Sequence, residues 1–248
     1  MSPILQVERL TRRFGGLTAV NSVSIDLHVG EVHAVIGTNG AGKSTLINML
    51  SGEINSSEGQ IRLFGADVTN QPQARRALSG IGRSYQRTTI FPEFTVHENC
   101  RLAAQARTPR PWALWEPAHD CDASVPAADA ALEATGLSPV AFRLAGTLSH
   151  GAKRQLEVAM CLATQPRVLL LDEPLAGMGA EETDRMLALL ERLKPGHAIL
   201  LVEHDMDAVF RIAERITVMV NGAVIVTGSP EMIRNDQQVR TAYLGEES

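Results

Sequence analysis

The chain has 248 residues, 44% hydrophobic and 21% charged, and its 28 acidic against 23 basic side chains give a formal net charge of −5. That composition belongs to a folded chain with a sizeable core, and the acidic balance lacks the basic footprint of a nucleic-acid binder. Three scattered cysteines, Cys100, Cys121 and Cys161, form no CxxC pair, so they suggest neither a disulfide frame nor a zinc site and point to free thiols in a reducing compartment.

Residues 4–10 (ILQVERL) and 20–27 (VNSVSIDL) alternate apolar and polar positions, as half-buried antiparallel strands do. Between them Phe14 either packs in a core or stacks on a planar base such as adenine. Residues 31–37 (EVHAVIG) read as a buried strand that runs into Gly37, Thr38, Asn39, Gly40, Ala41, Gly42, Lys43 and Ser44, and then into a helix beginning KSTLINML. This is GxxxxGK[ST] in a strand–loop–helix setting. Its backbone N–H groups suit the β- and γ-phosphates of a nucleotide, Lys43 adds a point charge, and Ser44 offers a hydroxyl to Mg²⁺. Thr45 completes the candidate nucleotide contacts at the loop–helix junction.

Residues 60–65 (QIRLFG) give another strand. Gln86 ends a short alternating run (GRSYQ), where it either reaches Mg²⁺ and the γ-phosphate or remains a surface amide. Residues 95–107 are helical in pattern, with Thr95 and Glu98 spaced as a capping box. A proline-rich stretch holding Trp112 and Trp115 follows, then a helical pattern over 127–137. At 148–160 (LSHGAKRQLEVAM) a helix starts with Ser149 as N-cap, Gly151 for close approach, and Lys153 and Arg154 next. That start is a candidate anion site.

Residues 167–174 (RVLLLDEP) make a central strand with Asp172 at its carboxyl end, placed to hold a metal through water. Glu173, one residue on, is placed to polarise an attacking water. A helix (180–194), a strand (197–205) and a helix (206–214) come next. His204, after that strand, either touches the γ-phosphate or is a structural hydrogen-bonder. Residues 215–228 read as a hairpin around Asn221-Gly222, and 229–235 as a helix with a Ser cap and Pro at its first position. The fold expected is α/β, with a P-loop NTPase core. It has a mainly parallel sheet covered on both faces, N-terminal antiparallel strands, and a helical lobe (95–165) inserted between core segments 1–94 and 166–248. The first residues lack a secretion-signal pattern and no apolar run approaches the ~18 residues of a membrane span, so a soluble cytoplasmic protein is expected.

Phe14, the glycine loop, Gln86, LSHGA, LLLDEP and His204 fall in an order that resembles the nucleotide-binding subunit of ATP-binding cassette (ABC) transporters over essentially the whole chain. LSHGA is similar to that family's signature, usually LSGGQ. The resemblance implies ATP and Mg²⁺ as ligands, Ser44, Gln86 and Asp172 around the metal, and Glu173, His204, Gln86 and Lys43 as the catalytic set. It also implies two ATPase subunits, identical or paralogous, meeting head to tail, so that Ser149 and Gly151 face the partner's nucleotide. Integral membrane permeases would dock near residues 86–94, at the inner face of the cell membrane, with a periplasmic solute-binding protein involved indirectly and no nucleic acid.

The segments FGGLTAVNSVSIDLHVGEVHAVIGTNGAGKSTLINMLSG, LLLDEPLAGM and YLGEES look most like ATPases of branched-chain amino acid importers, with urea and amide importers similar. The alternatives are the ATPase of lipopolysaccharide export and a non-transport ABC ATPase. The latter acts on chromosomes, ribosomes or iron–sulfur assembly; neither a long coiled coil nor a second cassette is present to favour the first two. The sequence departs from the family pattern at Thr38 (usually Pro), His150 (Gly), Ala152 (Gln or Glu) and Gly179 (Asp or Asn). The last puts communication across the dimer in question.

Overall fold

The computed structural model describes residues 2–85, 89–107 and 124–244. Gln86, Trp112, Trp115 and Cys121 lie outside these residues.

Among the described residues ten strands fall into two sheets. The first is antiparallel, in the order β2 (Leu17–Leu27), β1 (Leu5–Phe14), β4 (Glu58–Leu63), β5 (Ala66–Asp67). The second has the order β10 (Ala223–Gly228), β9 (Arg215–Val220), β3 (Glu31–Gly37), β8 (Ala198–Val202), β7 (Val168–Asp172), β6 (Ile81–Arg83). All its neighbours pair in parallel except β10, which returns antiparallel on β9.

The unbroken apolar runs of β7 and β8 follow from cover on both faces. Val168, Leu170, Ala198, Leu200 and Val202 join α1 (Lys43–Ser51) and the inner face of the antiparallel sheet. Leu169, Leu171, Ile199 and Leu201 meet α6 (Ala180–Leu193) and α7 (Met206–Ile212) on the other side. Each of these buried leucines contributes about 2 kcal/mol of transfer free energy. Two features missed in the sequence are very short: β6 and the helix α2 (Gln73–Leu78). From α2, Arg76 donates to the carbonyls of Met49, Leu50, Thr69 and Gln71, closing the carboxyl end of α1.

A separate apolar cluster is built by α3 (Val96–Gln105), α4 (Ser124–Thr135) and one face of α5 (His150–Ala163). Val96, Cys100 and Ala104 lie on one stripe of α3 and face Ala128, Ala131 and Leu132 of α4 and Leu156, Ala159 and Ala163 of α5. The capping box forms: Thr95 Oγ1 accepts from Glu98 N (3.0 Å) and Glu98 Oε2 accepts from Thr95 N (2.9 Å). Burial pushes the thiols of Cys100 and Cys161 up to about 12, which leaves them protonated and unreactive. The hairpin turns at Asn221 and Gly222, both at positive φ (49° and 82°), as the Asn-Gly pair requires. The helix α8 (Pro230–Asn235) starts at Ser229, whose hydroxyl accepts from Met232 N. The last helix, α9 (Gln237–Leu244), was not anticipated.

Among the described residues no helix is long and apolar enough to cross a membrane.

Candidate active site

The carboxyl ends of β3, β7 and β8 lie side by side, and the loops leaving them carry most of the residues singled out above. Between β3 and α1 the glycine loop is held by close backbone contact. A Cβ on Gly42, at φ 96°, would fall 2.3 Å from the Ala19 carbonyl oxygen. One on Gly37 would fall 2.2 Å from that of Met219. The loop is therefore pressed between β2 and β9, and Gly222 N also donates to Ala41 O.

Beside this loop is a cavity of 570 Å³ lined by Asn39 to Thr45 together with Phe14, Leu17, Glu173 and Asn221. Ser44 is exposed to it. Phe14 is 45% exposed at its rim, with the Arg12 guanidinium 4.5 Å from the ring centroid, so the core-packing alternative is excluded. Lys43 is buried and curls back over the loop, donating to Gly37 O (2.6 Å) and Thr38 O (3.0 Å). Burial pulls its pKa down, against the carboxylates of Glu173 and Asp172.

Asp172 is 3% exposed, and its Oδ1 has no hydrogen-bond partner among the described residues. Burial raises its pKa, opposed first by Arg83. An orphaned buried carboxylate oxygen beside a loop offering a free hydroxyl fits Mg²⁺, a hard cation that takes a few protein oxygens and keeps its waters. Glu173 sits at φ 50°, a left-handed conformation that strains a residue with a long side chain. The turn is pinned by Glu173 N to Val202 O (2.9 Å) and Ala176 N to Glu173 O (3.2 Å). His204, just past β8, is largely exposed and does not line the cavity wall.

Gln86 lies outside the described residues, but its flanks are anchored. Arg83 donates to Ser51 Oγ (2.7 Å) and to Asn48 Oδ1 on α1, with its guanidinium over the Tyr85 ring. Thr89 N donates to Glu157 on α5 (3.0 Å).

Ser149 and Gly151 are not brought to the glycine loop. At the start of α5, Ser149 caps the helix by accepting from Ala152 N (3.2 Å), and its hydroxyl donates to Glu182 Oε1 (3.1 Å). Gly151 N donates to the same oxygen (3.2 Å). His150 pairs through Nε2 with the Ala176 carbonyl at 2.9 Å. An anion does occupy this helix start, and it is the chain's own Glu182. Sequence reasoning missed Glu182, Arg83 and Glu203; the last stands beside His204 in LLVEHDM, where its position after an apolar strand was the available signal.

Against known proteins, the family described as "ABC transporter" matches residues 20–176. The chain belongs to the ABC transporter family. The description "Branched-chain amino acid ATP-binding cassette transporter" matches residues 223–248. The cassette is 42% identical to the high-affinity branched-chain amino acid transport ATP-binding protein BraF of Pseudomonas aeruginosa, with 98% of each chain covered. It is 32% identical to the lipopolysaccharide export system ATP-binding protein LptB of Haemophilus influenzae, again over 98% of each, so the export relative is the more distant of the two. The structure of the ADP conformation of MJ1267, an ATP-binding cassette of an ABC transporter, superposes with TM-score 0.86 at 30% identity, covering 99% of this cassette and all of that one. The α/β P-loop fold read from the sequence is therefore correct. The cassette is a nucleotide-binding ATPase that couples ATP hydrolysis to transport.

Proposed function

We propose that the cassette drives import of branched-chain amino acids, or of a similar small polar solute, through integral membrane permeases. The observation that carries the solute class is the 42% identity to BraF over nearly the entire chain.

In this reading the amides of residues 37–45 cradle the β- and γ-phosphates, and Phe14 stacks on the adenine at the cavity rim. Lys43 leaves the carbonyls of Gly37 and Thr38 to neutralise the transferring phosphoryl group. Ser44, Gln86 and Asp172 would hold Mg²⁺, which supplies charge neutralisation between the phosphates. Glu173 takes a proton from the attacking water, its side chain aimed by the strained turn, and His204 meets the γ-phosphate when the site closes.

The second anion site belongs to a partner ATPase, a second copy or a paralogue. Ser149 Oγ and Gly151 N–H exchange Glu182 for the partner's γ-phosphate, so two nucleotides hold two subunits together. Residues 95–165 act as a lobe that moves against 1–94 and 166–248. The permease docks near 86–94, where Phe91 and Phe94 are exposed with ring centroids 5.5 Å apart. The cassette is thereby peripheral at the inner membrane face, and a periplasmic solute-binding protein delivers the solute from outside.

Reconstitution with branched-chain amino acid permeases from the same organism tests this. ATP-dependent uptake of labelled leucine into vesicles, lost with Lys43→Ala, is the expected result. An assembled complex that hydrolyses ATP but moves no branched-chain amino acid overturns the solute class.

A further inference from the structure

The residue between β8 and His204 is a carboxylate in the interior. Glu203 is fully buried, with 0% of its surface exposed. Among the described residues no lysine or arginine pairs with it; the His204 ring stands near, with Nδ1 3.8 Å from Oε2. Burying a carboxylate is costly unless hydrogen bonds satisfy its oxygens.

Its two oxygens are divided between two segments. Oε1 accepts from Leu175 N at 2.8 Å, and Oε2 accepts from His204 N at 3.3 Å. Leu175 is two residues beyond Glu173, inside the turn that begins at the strained φ of 50°. Leu175 is itself buried, so without Glu203 its N–H would be an unsatisfied donor in the interior. The turn is thus fastened at two points to the end of one strand, by Glu173 N to Val202 O and by Leu175 N to Glu203. A strained conformation persists only where its surroundings over-determine it, and this pair of bonds does so.

We propose that Glu203 is a positioning residue for ATP hydrolysis, its carboxylate tying the turn that carries Glu173 to the segment that carries His204. The tie keeps both side chains in register with one terminal phosphate. It rests on the roles given above to Glu173 and His204. A neutral amide cannot replace it: the glutamine oxygen accepts one N–H, and its NH₂ group then faces the other donor. Burial pushes the Glu203 carboxyl up to about 7, held down by the Leu175 and His204 N–H groups and by the His204 ring, and raised further by Glu173. The three side chains share one electrostatic neighbourhood.

Steady-state ATP hydrolysis by the full-length chain tests the tie through Glu203→Gln, His204→Ala and the double variant. Expected for Glu203→Gln is a kcat lowered about tenfold with KM for ATP changed less than about twofold, because the phosphate cradle is untouched. The double variant should fall no further than about the worse single one, since both changes disable the same unit. A Glu203→Gln enzyme with parental kcat, or losses that multiply, overturns the proposal. If His204→Ala and Glu173→Gln themselves keep full activity, the roles beneath the proposal fail instead. Should Glu203→Gln fold poorly, amide hydrogen exchange on the unaltered chain decides: the Leu175 and His204 amides should open together, and independent, rapid exchange of either refutes the tie.

Discussion

The carboxylate of Glu182 lies so close over Gly151 that a Cβ there would fall 2.5 Å from its Cδ. The only residue without a side chain is what lets a carboxylate from α6 reach the start of α5. In the free subunit that carboxylate satisfies the donors that the proposed trans phosphate would need. Removing it should therefore ease pairing. In a Glu173→Gln background, expected to bind ATP and hydrolyse it slowly, adding Glu182→Ala should lower the ATP concentration for half-dimerisation about tenfold. That equals ~1.4 kcal/mol, the scale of a partly exposed charge-assisted hydrogen bond. Light scattering across an ATP titration reads it, and an unchanged or raised midpoint contradicts the competition.

Lys43→Ala should abolish hydrolysis, with a loss of a hundredfold or more, about 3–4 kcal/mol of transition-state stabilisation. Folding should be weakened by about 1–3 kcal/mol, because the buried Gly37 carbonyl loses its ammonium donor, so turnover is compared on the folded fraction. Near-normal turnover in a folded variant would refute the assignment of the loop.

Glu173→Gln should form a dimer with ATP but not with ADP, since ADP leaves Ser149 and Gly151 no γ-phosphate to hold. Adding Ser149→Arg should dissolve the dimer by bulk at the contact while leaving ATP binding to the monomer intact. The comparison should be made with the chain alone and with any paralogous ATPase. A Glu173→Gln chain that stays monomeric in ATP under both conditions removes the trans role.

Two buried groups give opposing slopes of stability with pH. His33 is held neutral between the Asp26 carbonyl and Thr217, with burial lowering its pKa from 6.5 to about 3. The unfolded chain binds this proton first, so His33 makes stability fall as pH drops from 6.5 towards 3. Glu203 is raised from 4.5 to about 7, so the folded chain binds its proton first and stability falls as pH rises through that window. Between 4.5 and 6.5 the two nearly cancel. Glu203→Gln should unmask the histidine, making stability rise with pH more steeply than in the parent, by about 1.4 kcal/mol per unit. Urea unfolding at several pH values measures this, and equal slopes in the two proteins contradict it.

Arg76→Lys should destabilise the fold by about 3 kcal/mol or more. The planar fork serves the carbonyls of Met49, Leu50 and Thr69 together, whereas an ammonium on a flexible stem cannot reach all three. The urea midpoint should drop with an unchanged slope.

The parts legible in the sequence are those where one local pattern suffices. The glycine loop follows a strand, Asp172 and Glu173 end a strand too apolar to be exposed, and Thr95 with Glu98 announces a helix start. What stayed hidden depends on segments that no periodicity relates. A carboxylate after a strand, such as Glu203, reads as solvated until the turn at Leu175 is seen above it. Glu182 reads as an ordinary acidic residue in the first turn of a helix, and nothing in its own segment points to Ser149. The strand β6 is three residues long and gains its identity from pairing with β7.

The cradle for phosphate is assembled from opposite ends of the chain: β2 supplies the Ala19 carbonyl over Gly42, and β9 with its hairpin supplies Met219 and Gly222. A nascent chain still short of that hairpin has the whole loop motif and no rigid loop. Fragments released by premature termination or by proteolysis before residue 222 would consequently neither sequester ATP nor lock onto a partner subunit. Nucleotide in turn reports on completion, stabilising only the finished molecule, by about 2.7 kcal/mol at a hundredfold excess over Kd. Any nucleotide binding by this loop thus waits on strands from the far end of the chain, the last to be laid into the sheet.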